Sequence, residues 1–120
     1  MASEISAAVS LNASKGGATV TASGTKTADM AGDQMLTNVQ IVGTSAEALV
    51  VGDVSTIGYV LIKNLDATNY VEIGLDSGVS TQVFGKLLAG DIMLLKASTA
   101  TMYVKANTAS CNIAVTVVEL

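Results

Sequence analysis

Apolar and polar residues alternate with a period of two over most of the chain. Ile5, Ala7, Val9 and Leu11 are interleaved with Ser6, Ala8, Ser10 and Asn12, the pattern of a strand with one buried face. Gly16-Gly17 predicts a turn, and 18–28 continues in Thr, Ser, Ala and Val, extended but weakly amphipathic. Gly32-Asp33 precedes the alternating Met35, Thr37, Val39 and Ile41, and Gly43 closes that strand. Glu47 to Val51 predicts a short apolar strand ended by Gly52-Asp53.

In the segment 57–64, Tyr59 and Leu61 take one face while Val60 and Ile62 take the other, so this strand requires cover on both sides. The loop Asn64-Leu65-Asp66-Ala67-Thr68-Asn69 joins it to 70–75, where Val71, Ile73 and Leu75 share a face; the spacing predicts a hairpin. Asp76-Ser77-Gly78 turns the chain into 79–84, and Ala89-Gly90-Asp91 opens the strand 92–96. The segment 101–106 sets Met102, Val104 and Ala106 against Tyr103 and Lys105. The last strand, 111–120, points Ile113, Val115 and Val117 inward and Asn112, Ala114, Thr116 and Val118 outward. Only the Ala-rich stretches near Ala46 and 97–100 have any helical character, and neither predicts a helix.

Eight or nine short strands separated by glycine-bearing turns predict an all-β chain, a single antiparallel β-sandwich or jelly-roll-like domain. Residues 1–33 carry few large side chains apart from Ile5, Leu11 and Met30. They are expected as an extended N-terminal arm or edge strands, ordered by adding to a sheet edge in the same subunit or in a neighbour, with the sandwich over 34–120.

Composition narrows the chemistry. Half of the 120 residues are hydrophobic and 13% are charged, with no His, Arg, Trp or Pro and one cysteine. Without His, neither a Ser-His-Asp nor a Cys-His arrangement can be assembled, and zinc lacks its usual ligands. The glycines fit no phosphate-binding fingerprint. No catalytic residue, cofactor or metal is therefore expected, and the chain reads as a non-enzyme. Asp66, Glu72, Asp76 and Asp91 are the carboxylates that a calcium site could draw on, but their spacing lacks the dense pattern of a loop-contained site and they read as turn residues. Cys111, amid alternating apolar residues, reads as a small buried side chain.

A net charge of −4, with six dispersed lysines as the cations, argues against nucleic acid or an anionic membrane as partner. No apolar run approaches the roughly 18 residues of a membrane helix. Met1-Ala2-Ser3-Glu4-Ile5 lacks the basic and apolar regions of a secretory signal, so folding in a cytoplasm is expected. Strand faces rich in Ala, Thr and Val are unusually apolar for a surface facing water, which predicts contact with other protein surfaces.

Lys63-Asn64-Leu65-Asp66-Ala67-Thr68-Asn69-Tyr70-Val71-Glu72-Ile73-Gly74, followed by Leu87-Leu88-Ala89-Gly90-Asp91, resembles a family of small tailed-phage proteins. In these a strand ending in an Asn-Leu-Asp phrase is followed by a Tyr/Phe-Val-Glu-Ile-Gly strand and a Leu-x-Ala-Gly-Glu/Asp turn. The resemblance runs from about Gln34 to the C-terminus. It implies a virion structural component assembled in the host cytoplasm. The first expectation is a capsid decoration or cement protein, a dimer or trimer that clamps the major capsid protein or other virion proteins. In that reading Ile5, Val9 and Leu11 form a docking arm and Tyr59 and Tyr70 are contact residues. A tail or fibre-associated subunit is the alternative within the class, and a β-sandwich carbohydrate-binding module the alternative outside it.

Overall fold

The strand Cys111–Glu119 organises the molecule, because its odd-numbered residues are all buried and both of its edges are paired. The computed structural model describes residues 4–52, 54, 56–74, 83–96 and 102–119. Among these the elements are β1 (Ile5–Lys15), β2 (Ala18–Ala28), β3 (Met35–Val42), β4 (Glu47–Ala48), β5 (Ile57–Asn64), β6 (Val71–Gly74), β7 (Val83–Leu87), β8 (Ile92–Lys96), β9 (Tyr103–Ala106) and β10 (Cys111–Glu119). One four-stranded sheet runs β3-β10-β5-β8, a second runs β4-β9-β6-β7, and β1 and β2 pair with each other. Every strand pairing is antiparallel. The chain is all-β, as its period of two predicts.

Side chains from both larger sheets meet in one core. Val42, Val60, Ile62, Cys111, Ile113, Val115 and Val117 come from the first sheet, and Val71, Ile73, Leu87, Val104 and Ala106 from the second. β-branched residues dominate, as suits a pleated surface packed on one side. The predicted inward rows of β9 and β10 are the buried ones: Met102, Val104 and Ala106, and Ile113, Val115 and Val117.

Three polar side chains are buried among the described residues, Gln40, Asn64 and Glu119, and each lies where the chain enters or leaves the first sheet. Gln40 donates from Nε2 to Ala48 O at 3.1 Å and to Glu47 Oε1 at 3.2 Å, and its Oε1 accepts the Val50 N–H at 2.9 Å. It thereby holds the crossing from β3 to β4. Asn64 donates to Asn69 O at 2.9 Å and Leu87 O at 3.0 Å while accepting the Asp66 N–H at 2.9 Å. It holds the crossing from β5 to β6. Glu119 accepts the Gln34 N–H at 3.2 Å and donates its own N–H to Gln34 O at 3.0 Å, joining β10 to the segment that leads into β3. Gly32 packs beside it, and a Cβ there would make the Glu119 carboxylate shift.

One expectation is corrected. Segments 57–64 and 70–75 do not form a hairpin: β5 and β6 belong to different sheets. The polar loop between them resembles a turn in composition, but the buried Asn64 amide diverts the chain across the core. Alternation alone leaves open which face of β3 is inward. Met35, Val39 and Ile41 face solvent and Gln40 and Val42 face the core, because the Gln40 amide finds three partners there. Within the one subunit, the N-terminal segment pairs with neither larger sheet. β1 and β2 pair over their full length, from Ile5↔Ala28 to Lys15↔Ala18. Gly16 and Gly17, at φ 60° and 87°, make the two-residue turn in a left-handed geometry that side-chain-bearing residues resist. The predicted strand 79–84 lies, except for its last two residues, outside the described residues, as do 97–100 and Leu75.

Truncation should separate the two faces of the first sheet. Ile113→Ala, in the core, is expected to lower unfolding free energy by about 2–5 kcal/mol. Ile41→Ala, on the outer face, is expected to change it by no more than about 0.5 kcal/mol. Urea unfolding followed by circular dichroism measures both.

Candidate interaction surface

Pairing register assigns the outer face of the first sheet residue by residue, since cross-strand partners share a face. Reading from β8 across β5 and β10 to β3, the rows are Lys96, Tyr59, Val118, Met35; then Leu94, Leu61, Thr116, Thr37; then Ile92, Lys63, Ala114, Val39; and finally Asn112 beside Ile41. Two lysines are its only charges. A sheet face exposed to water normally alternates to polar residues, and this one does not.

The β1–β2 hairpin lies over part of this face. Its register gives it two unlike sides. Ile5, Ala7, Val9, Leu11 and Ala13 lie opposite Ala28, Lys26, Gly24, Ala22 and Val20 on one side; Ser6, Ala8, Ser10, Asn12 and Ser14 lie opposite Thr27, Thr25, Ser23, Thr21 and Thr19 on the other. The segment 18–28, weakly amphipathic when read alone, is sharply so once paired. Its signal was the run of Thr and Ser at odd positions against Ala, Val and Gly, with Lys26, at even ones.

Ile5 is buried at the base of the hairpin, where the Met30 N–H donates to Glu4 Oε1 at 2.9 Å and links its two ends. Between β1 and the sheet runs an open cleft of about 440 Å³, lined by Ile5 and Val9 from above and by Tyr59, Leu61, Leu94 and Val118 from below. The structure thus brings three of the expected contact residues, Ile5, Val9 and Tyr59, to one place. Leu11 lies farther along the hairpin, 67% exposed, against Ala22 rather than the sheet. Tyr70 belongs elsewhere, just before β6 of the second sheet, with the Lys86 ammonium 4.3 Å from its ring centre in a cation–π contact. Sequence reasoning missed Met35, Val39, Ile41 and Leu94, whose place on the face follows from strand order rather than from alternation.

The carboxylates do not converge. Asp66 accepts N–H groups of Asn69 at 2.6 Å and Thr68 at 2.9 Å, closing its own loop. Asp91 accepts the Leu88 N–H at 2.9 Å and closes the turn before β8. Glu72 stands between Lys86 and Lys105 across the second sheet, and Asp76 lies outside the described residues. Among the described residues no three His, Cys, Asp or Glu side chains are grouped as a metal site requires.

Cys111 is 1% exposed, its sulfur near Ala109 O at 3.7 Å and Tyr70 O at 3.9 Å. Burial raises its pKa above the ordinary 9.0, and the negative charge of Asp66 adds to the effect. No protein-family model, curated protein or solved structure matches the chain.

Two outcomes follow from these side chains. Cys111 should resist a thiol reagent at pH 8 in the folded protein and react fully in denaturant, measured by absorbance of the released chromophore. The N–H groups of Asn69 and then Thr68 lower the Asp66 pKa from 3.8, so its contribution to stability is complete above that value and is lost as pH falls through the lower folded value. Asp66→Asn should therefore flatten the dependence of stability on pH below about 4, read from denaturation midpoints across an acid series.

Proposed function

We propose that β3–β10 form a jelly-roll sandwich and that the protein is a structural subunit of a tailed-phage virion, a capsid decoration or cement protein. Strand order supports the fold reading. Counted from β3, the first, eighth, third and sixth strands make one sheet and the second, seventh, fourth and fifth make the other. This is the arrangement of two interlocked Greek keys, an architecture used by viral capsid and lectin domains.

The two phrases on which the resemblance rests also meet in space, although twelve residues separate them. Asn64 donates its N–H to Asp91 O at 2.9 Å, accepts the Gly90 N–H at 3.1 Å, and reaches Leu87 O through its side chain. A resemblance confined to two separated phrases is coherent if both encode one corner of a shared fold.

A fold does not dictate a role, so the surface must carry the functional reading. The observation that carries it is the apolar outer face of the β3-β10-β5-β8 sheet, overhung by an amphipathic hairpin. Broad apolar surface of this kind binds protein. A sugar site would draw on aromatic platforms ringed by polar groups, whereas the cleft offers one tyrosine among aliphatic side chains. In this reading the apolar surface serves assembly on the particle, where the subunits clamp neighbouring coat subunits, and the role is mechanical, with no reaction.

Electron cryomicroscopy of purified particles carrying a tagged copy of the chain tests the proposal. Density for the tag is expected on the outer surface of the head shell, between coat subunits. Density confined to the tail would overturn the decoration role in favour of a tail subunit. Selective binding on a glycan array would favour the carbohydrate module instead.

A further inference from the structure

The hairpin's apolar side and the sheet's outer face are two halves of a contact that this chain only partly makes with itself. The proximal half of the hairpin, Ile5 to Val9, is seated over β5 and β8, where it lines the cleft with Tyr59 and Leu94. Beyond it the hairpin continues without cover: Leu11 and Val20 are 67% and 55% exposed. On the sheet, the β3 column is equally bare, with Met35, Val39 and Ile41 at 65%, 56% and 68%.

The dimensions explain why one molecule cannot close both gaps. Eleven residues of β-strand extend about 36 Å, against about 26 Å for the eight of β3 or β5. The radius of gyration is 15.5 Å, where a compact chain of this length has about 14 Å. The hairpin therefore projects from the body, with its base tied at Ile5 and Ala28. A two-stranded ribbon exposed on both sides is marginal in water, which favours its acquiring a partner surface.

We propose that the distal hairpin, through Leu11, Ala13, Val20 and Ala22, packs on the β3 column of a second copy of the same chain, and that the second copy reciprocates. The occupant is argued from continuity. The proximal hairpin residues already lie on the same sheet face in cis, so the trans contact extends an existing one with side chains of the same type. Both surfaces belong to one chain, so exchange between two copies covers both at once and leaves neither open to further growth, as a two-fold assembly requires. Each distal strip is roughly 20 Å by 10 Å from strand spacing and rise. Two reciprocal contacts bury on the order of 1,000 Å², at the lower bound of stable interfaces. The Lys15 and Lys26 stems lie along the edge of the strip with their ammonium groups in water.

Sedimentation equilibrium of the full chain, from about 1 to 200 μM, reads the association expected at the lower end of stable interface sizes. A monomer–dimer equilibrium is expected. Leu11→Asp with Val20→Asp in the hairpin, and separately Val39→Asp with Ile41→Asp on β3, should each weaken it by about ten-fold or more. All four positions are exposed, and unchanged circular dichroism and unfolding midpoints would show that the variants still fold. Mixing Leu11→Cys chains with Val39→Cys chains under oxidation should yield the mixed disulfide in preference to either like pair. A monomer throughout the range overturns the proposal, as does a dimer insensitive to either pair of substitutions. The proposal does not rest on the virion reading. The purified chain alone decides it, whereas only the particle image decides location.

Discussion

The pleat of the central strand is the constraint from which the rest follows. Once Cys111, Ile113, Val115 and Val117 turn into the core, antiparallel register assigns a side to every residue of β3 and β5, because partners across a ladder share a face. Val42, Ile62 and Val60 go inward with them. Met35, Val39, Ile41, Tyr59 and Leu61 are left outside however apolar they are. The oily exterior is thus not a failure of patterning but the other half of strands that are hydrophobic on both sides. A single pleated ribbon has only two faces, and a single core can cover only one.

Much of the architecture could be read from alternation, and the failures share a physical cause. The inward rows of β9 and β10 and the glycine turn at Gly16-Gly17 were legible because each is a local property of a few consecutive residues. The face of β3 was not, since Asn38 and Gln40 make its inward side the more polar of the two. A buried amide is tolerated where backbone partners await it, and Gln40 finds its partners near β4, in the opposite sheet. The supposed hairpin after Asn64 failed for the same reason. Polar residues mark loops in a sequence, yet here Asn64 is wholly buried and directs the chain across the core. Partners for such side chains are set by tertiary structure, which alternation does not encode.

The candidate surface was legible in kind more than in detail. Apolar strand faces predicted contact with other proteins, and three of the named residues converge on the cleft. Tyr70 does not, because an aromatic residue in a strand reveals nothing of which sheet will hold it. Strand order, a long-range property, decides which columns lie beneath the hairpin and which stay bare.

Gln34 and Glu119 exchange two hydrogen bonds at the point where the hairpin's trailing strand is led back into the body. That junction ties the segment leading from the ribbon into β3, the edge strand, to the neighbouring strand β10. Traction on the tip passes along the segment after β2 into β3, and reaches β10 through the ladder that the two strands share. The protrusion is anchored as a tether.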